Sequence, residues 1–238
     1  MKKLISKLLI ALTLTIAVAL PVSIVVLPHT VHADFTATEN FDSYANGDQI
    51  NTKNGGSGWT NAWNTFNLVT QPVVSNTQAQ SGSLSLLTTG AASRRDFSTV
   101  TVGSLDFWLY IPANLGDTAL VNLQSSTGQN VMIVKSDASN NIAYYDGTSF
   151  HAIVAEPLNR WFKVTFQLDQ VGHSGQGNWT VDGTNTGWVT DTDATNNAQR
   201  FTVSNATSAY YIDSIGPTSS GVTAATPFIE DPWWFLFW

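Results

Sequence analysis

The chain has 238 residues, a net charge of −7 and no cysteine. A cysteine-free chain has no disulfide framework and no thiolate metal site. Residues 34–238 carry seven Lys/Arg against seventeen Asp/Glu, a net charge of −10. That sign disfavours nucleic acid and anionic membrane surfaces, which need a basic footprint. At this length one β-rich domain can bury a core without covalent staples.

The N-terminus begins with Lys2, Lys3 and Lys7, continues as an uncharged apolar run from Leu8 to Leu27, and reaches Val31-His32-Ala33. This pattern reads as a signal peptide over 1–33 cut before Asp34. The run is long enough for an uncleaved N-terminal anchor to be the alternative. Either reading places the protein outside the cell, secreted or at the cell surface.

From Asp34 on, strand patterns alternate with turn signals. Residues 34–42 read as a first strand, followed by a Gly- and Asn-rich loop to Gly58. Phe66–Ser75, Leu84–Thr88 and Arg94–Val102 read as strands. Leu105–Ile111 is a clear one, with Leu105, Phe107, Leu109 and Ile111 opposing Asp106, Trp108 and Tyr110. Four short strands follow over 119–124, 131–135, 142–145 and 150–154. The strongest signal is 161–183: Phe162, Val164, Phe166 and Leu168 alternate with polar residues, a Gly-rich turn intervenes, and Trp179 and Val181 resume the alternation before Asp182-Gly183. Phe201–Val203 and Ala209–Ile215 complete the series. Many short strands with frequent turns predict an all-β sandwich or barrel, not a parallel α/β sheet. Residues 217–226 read as a linker. The tail 227–238, PFIEDPWWFLFW, reads as a docked or disordered tail, a cover for an open sheet edge or core mouth, a segment resting at a membrane interface, or the start of a C-terminal anchor.

Three stretches together resemble the concanavalin A-like lectin/glucanase superfamily, and within it laminin-G-like jelly-roll domains of secreted bacterial proteins. They are Glu39-Asn40-Phe41-Asp42, the stretch from Trp161 to Gly183, and Tyr211-Ile212-Asp213-Ser214-Ile215. Residues 80–86 and 103–108 add weaker echoes, so the resemblance covers 34–216. It implies an all-β, antiparallel two-sheet β-sandwich, a jelly roll whose first and last strands pair, with carbohydrate bound across the concave face or at an edge loop. It also implies a structural Ca2+ where Glu39 or Asp42 on the first strand approaches Asp213 on the last. The loop Asp191-Thr192-Asp193 is a second candidate for that ion.

The chemistry favours binding over catalysis. Glycosidases need two carboxylates at a set separation, but Glu39, Glu156 and Glu230 are widely spaced and no Glu-x-Asp-x-x-Glu run occurs. Arg94-Arg95 resembles one part of a lyase site without its companions. His151 and His173 read as surface residues. Sugar rings stack on Trp and Tyr, which makes Trp108, Tyr110, Tyr145 and Trp188 the candidate ligand contacts. Asn178 and Asn205 begin sequons for glycosylation. The expectation is a non-catalytic module that binds a polysaccharide or cell-surface glycan. The alternatives are a diverged polysaccharide-degrading enzyme and a structural cell-envelope protein that meets the membrane only through its N-terminal segment or C-terminal tail.

Overall fold

The structure is a computed structural model that describes residues 34–66, 70–191, 193–204 and 206–218. The expected signal or anchor segment, the aromatic tail and Asn205 lie outside the described residues. The strands in chain order are β1 (Asn64–Thr65), β2 (Val73–Ser75), β3 (Ser85–Gly90), β4 (Ser93–Val100), β5 (Val102–Tyr110), β6 (Thr118–Gln124), β7 (Asn130–Ser136), β8 (Asn141–Tyr145), β9 (Phe150–Ala155), β10 (Trp161–Asp169), β11 (Gln176–Val181), β12 (Thr184–Asn185), β13 (Val189–Thr190), β14 (Ala198–Val203) and β15 (Ala206–Pro217).

They form two antiparallel sheets. One runs β1-β4-β14-β6-β7-β8-β9; the other runs β12-β11-β10-β5-β15-β3-β2, with β13 also paired to β11. This is the predicted all-β two-sheet sandwich. The alternation seen in the sequence decides which side chains enter it. Along β5 and β10, buried and half-buried positions alternate without a break, because successive side chains on a strand point to opposite faces. The two strands pair in register from Trp161 opposite Tyr110 to Asp169 opposite Val102. Their inward residues meet those of the other sheet: Phe107 lies edge-on to Phe201, ring centroids 5.7 Å apart. Burying one such side chain stabilises the fold by about 1.5–3 kcal/mol.

Two strand expectations are corrected. Residues 34–42 are not a continuous strand. The segment makes isolated bridges, Thr38 to Ser57 and Glu39 to Ile215, and the chain then bends at Phe41, whose φ is 61°. The Glu39–Ile215 bridge, with reciprocal 2.8 Å backbone hydrogen bonds, still joins the first segment to the last strand. The apolar run Phe66–Ser75 is not one strand either. Thr65 ends β1 in one sheet and Val73 begins β2 in the other; Pro72 between them has no N–H for a ladder.

Arg94 and Arg95 face opposite ways on β4, and Arg95 points into the sandwich, only 2 % exposed. Its Nη1 donates to Glu39 Oε2 at 2.9 Å and to the Gly55 carbonyl at 2.7 Å. Nη2 donates to Asn54 Oδ1 and Nε to the Asn61 carbonyl. The guanidinium lies 5.0 Å from the Trp59 ring centroid. Tyr44 donates its hydroxyl to the same Glu39 oxygen at 2.8 Å. Burial, with the Glu39 charge adding to it, pushes the Tyr44 phenol well above its usual range, so it remains a donor. Since Glu39 bridges to β15, this buried pair links the two sheets.

On the last strand, Asp213 is fully buried. Its Oδ2 accepts the backbone N–H groups of Gln80 and Ser81, and its Oδ1 that of Ser214. Burial, aided by the nearby Asp42 charge and opposed by those N–H groups, pushes its carboxyl up to about 6. A folded-state pKa above the unfolded one means that the native state holds the proton more tightly. The resulting stability is present below the unfolded value near 3.8 and is lost as pH rises through about 6. Glu156, also raised by burial, acts in the same direction. The melting temperature is therefore expected to fall between pH 4.5 and 7. Asp213→Asn, which destabilises at every pH by turning an amide N–H toward N–H donors, is expected to flatten that slope; an unchanged slope in thermal melts would count against the assignment.

Candidate functional site

The outer face of the seven-stranded sheet carries an ordered track of side chains. Arg94 on β4, Thr202 on β14, Asn122 on β6 and Ile133 on β7 stand opposite one another strand by strand. Carrying the β7–β8 register on by one residue from Val134–Tyr144 brings in Tyr145, and Phe150 on β9 pairs with Tyr145. A parallel row runs Asp96, Arg200, Gln124, Asn130. At the other end Asn64 on β1 pairs with Arg94, and Phe66 lies two residues beyond it. With strands about 4.8 Å apart, the track from β1 to β9 spans roughly 29 Å.

Hydrogen bonds preorder the middle of the track. Thr202 donates to Gln124 Oε1 at 2.8 Å, and Gln124 Nε2 donates to Asn130 Oδ1 at 3.2 Å. Asn122 Nδ2 reaches the same Asn130 oxygen at 3.5 Å, and Ser204 donates to Asn122 Oδ1. A side-chain amide has two N–H donors. One on Asn122, one on Gln124 and both on Asn130 therefore meet no acceptor among the described residues. Asp96, the carboxylate on the track, is held by Arg200 Nε at 2.6 Å and by Asn61 Nδ2 at 2.9 Å. Beside it opens a cleft of about 290 Å³ lined by Thr60, Ser98, Thr99, Ser126, Gln199 and Arg200.

Both ends are aromatic. Phe66 is 59 % exposed with the Arg94 guanidinium 4.7 Å from its ring, and Phe150 is 43 % exposed with the Lys135 ammonium 4.2 Å from its ring. Tyr145 and Phe150 have ring centroids 4.8 Å apart. In the adjoining turn, Asp146 accepts the N–H groups of Ser149 and Thr148 and pairs with His151. Those backbone donors, and then His151, hold its carboxyl down at about 2. The arrangement offers flat apolar rings at the ends and amide and hydroxyl donors between them. Those are the elements that recognise a hydroxyl-rich chain.

The structure does not bring the four sequence-predicted ligand residues together. Tyr145 lies on this track. Trp108 and Tyr110 lie on β5, on the outer face of the opposite sheet. Trp188 lies before β13, and one face of its indole is covered by His173, parallel to within 5° at 4.0 Å; Asp169 holds that imidazole at 3.0 Å. No local motif marks Phe66, Phe150, Asn122, Gln124, Asn130 or Thr202 as a ligand contact. Asn122 and Gln124 did carry a signal, as polar residues alternating with Val121 and Leu123, but the register that aligns them with Thr202 is absent from local sequence.

The expected Ca2+ ligands are engaged elsewhere. Glu39 Oε2 takes Arg95 and Tyr44, and its Oε1 takes the Phe41 N–H at 3.0 Å. Asp42 Oδ1 accepts the N–H groups of Ser83 and Leu84, while Asp213 accepts those of Gln80, Ser81 and Ser214. Asp42 and Asp213 thus clamp the turn before β3, where Gly82 has a φ of 62° and lies against the Asp42 carboxylate. Among the described residues no three Asp, Glu or His side chains converge on a common cation position. These carboxylates, directed at N–H donors and a guanidinium, do not fit a shared Ca2+ as arranged. In the second loop, Asp191 Oδ1 accepts the Asp193 N–H at 2.9 Å, and Thr192 lies outside the described residues.

The fold and this surface define a two-sheet antiparallel β-sandwich with a polar, aromatic-ended outer track. No protein-family model matches the chain, and no curated protein matches it. Among solved structures it is similar to a sialidase, with 14 % identity, 82 % of this chain and 20 % of that chain covered, and a TM-score of 0.54. It thus spans about a fifth of that sialidase's length, and at this identity the likeness is one of fold. Trypanosoma rangeli sialidase in complex with sialic acid aligns at 12 % identity over 77 % of this chain and 30 % of that one, TM-score 0.49. The carbohydrate-binding module CBM66 from Bacillus subtilis aligns at 12 % over 64 % and 92 %, TM-score 0.43.

Proposed function

We propose that the protein is a secreted or cell-surface, non-catalytic, laminin-G-like jelly-roll module that binds an extended polysaccharide or cell-surface glycan along the outer face of the seven-stranded sheet. The observation that carries this reading is the track itself: a row of aligned amide, hydroxyl and guanidinium groups, with uncommitted amide donors, ending in exposed aromatic rings. The rings stack on the apolar faces of sugar units, and the amides of Asn122, Gln124 and Asn130 hydrogen-bond to hydroxyls between them. Because Asp96 is tied to Arg200, no pair of free carboxylates faces the track among the described residues, which is why binding is favoured over hydrolysis.

A glycan array followed by calorimetry on the full chain tests this. Tyr145→Ala and Phe150→Ala are each expected to weaken binding about tenfold or more, the scale of a hot-spot aromatic worth about 1.4–2 kcal/mol. Asn122→Ala is expected to weaken it several-fold. Silence across a broad array would sink the binding reading. Release of reducing ends from a bound polymer would replace it with the enzymatic one.

A further inference from the structure

We infer that the opposite sheet carries a second, independent carbohydrate site built on Trp108, Tyr110, Trp161 and Tyr211, which makes the module bivalent. It rests on the carbohydrate-binding reading for the class of ligand but not on the first track for any residue. The register sets these side chains beside one another. Trp161 on β10 stands opposite Tyr110 on β5, and Tyr110 stands opposite Tyr211 on β15. The rings form a continuous row, Trp161 to Tyr110 at 5.6 Å and Tyr110 to Tyr211 at 5.9 Å between centroids. Trp108 stands two residues along β5, on the same face. All four lie on the outer side of the sheet, since their neighbours Leu109, Phe107, Phe162 and Ile212 are the fully buried ones; Trp108, Tyr110 and Trp161 are half-buried there, and Tyr211 is only 8 % exposed.

Their polar atoms separate them from most of the aromatics that serve the fold; the buried Trp63, whose indole N–H also meets no acceptor among the described residues, is the exception. Buried Tyr and Trp side chains normally have their O–H or N–H bonded. Here Trp179 donates to the Ile133 carbonyl, Trp59 to the Thr38 carbonyl, Tyr44 to Glu39 and Tyr210 to the Leu120 carbonyl. The indole N–H groups of Trp108 and Trp161 and the hydroxyls of Tyr110 and Tyr211 make no hydrogen bond among the described residues. Three half-buried rings, the largely covered ring of Tyr211 and four uncommitted polar handles are thus gathered on one face of the sheet. A purely apolar occupant would leave those handles unpaired and desolvated, which is costly; a sugar ring offers an apolar C–H face to the rings and hydroxyls to the handles. The rim adds further polar groups. Lys163 and Thr165 both donate to Asp106, at 3.2 and 2.6 Å, and Arg160 pairs with Asp182. Two sites on opposite faces of one rigid sandwich can hold two polymer chains at once and so cross-link them.

The test uses the full chain, with cellohexaose, xylohexaose, mannohexaose and 3′-sialyllactose as probes at up to 10 mM. NMR follows the indole N–H signals of Trp108 and Trp161, assigned with Trp108→Phe and Trp161→Phe. At least one probe is expected to shift both signals, and to shift them equally in the Tyr145→Ala/Phe150→Ala variant, whose first track is disabled. Tyr110→Ala/Trp161→Ala is expected to abolish the shift of Trp108 and to leave a folded protein, checked by its melting curve. With the matching polymer, wild type is expected to produce turbidity that either double variant loses. The inference is overturned if no probe moves the two indole signals, or if every shift disappears with the first track. It is equally overturned if the signals respond to protein concentration instead of sugar, which would mark a contact between copies of the chain. Failure of the other reading looks different: probes would then move Trp108 and Trp161 while the Tyr145→Ala/Phe150→Ala substitutions change no affinity.

Discussion

Arg95→Ala is expected to destabilise the fold by about 3–5 kcal/mol, the cost of removing one partner from a buried ion pair. Glu39 would be left with no countercharge at a position 2 % exposed. The carbonyls of Gly55 and Asn61 and the amide of Asn54 would lose their donor in the same step, and Trp59 its cation. Native domains are stable by only about 5–15 kcal/mol, so the variant is expected to unfold at much lower urea or not to accumulate. Arg95→Lys is expected to recover little, since one ammonium cannot reach four acceptors spread around a planar fork. The informative partner is Arg95→Met combined with Glu39→Gln, which removes both charges. It is expected to be clearly more stable than Arg95→Ala, because much of the loss in the single variant comes from the stranded carboxylate. Urea denaturation of the three variants decides the matter: a loss below about 1 kcal/mol in Arg95→Ala would show that the pair does not hold the sheets together.

Trp179→Ala is the second large effect, with an expected loss of about 3–5 kcal/mol. Trp179 sits on β11 in one sheet, and its indole N–H reaches the Ile133 carbonyl on β7 in the other at 3.1 Å. It also stacks on Tyr144 of β8, centroids 4.8 Å apart at 29°. Truncation opens a cavity of indole size between the sheets and leaves the Ile133 carbonyl without that donor. Trp179→Phe keeps much of the volume and loses the hydrogen bond, and is expected to cost about 1–2 kcal/mol. Gly177 has no room for a side chain, because a Cβ there would run into the Trp179 ring. Thermal melts rank the variants, and equal stability of Trp179→Ala and Trp179→Phe would contradict the packing argument.

The contrast between these residues and the candidate sites shows what could be read locally. Trp179 and Phe162–Leu168 stand in an unbroken two-residue alternation, so their direction into the core follows from strand geometry alone. Trp108 and Tyr110 were legible as outward-facing for the same reason. That Trp161 and Tyr211 would join them depended on β10 and β15 both flanking β5, a choice made by non-local pairing. Arg95 illustrates the opposite difficulty. A charged residue beside Arg94 on an exposed-looking strand gives no local sign that it will enter the core, because its partner Glu39 is 56 residues away. Glu39, Asp42 and Asp213 do gather where the first segment meets the last strand, yet hydrogen-bond direction decides their roles: a cation needs converging lone pairs, and these oxygens are aimed at N–H groups and a guanidinium.

The amino-acid sequence alone determined the all-β class, most strand positions, the in–out direction of each alternating side chain and the acidic, cysteine-free character. These follow from a period of two, turn chemistry and composition, which act over a few residues. Tertiary structure alone decided the order of strands in each sheet, the placement of β1 and β2 in different sheets, the Arg95–Glu39 link and the alignment of Arg94, Thr202, Asn122, Ile133, Tyr145 and Phe150 into one track. Each of these depends on which distant strand supplies the hydrogen-bonding edge. That choice is settled by burial of the whole core at once, since a one-residue change in register would turn every inward side chain out to solvent.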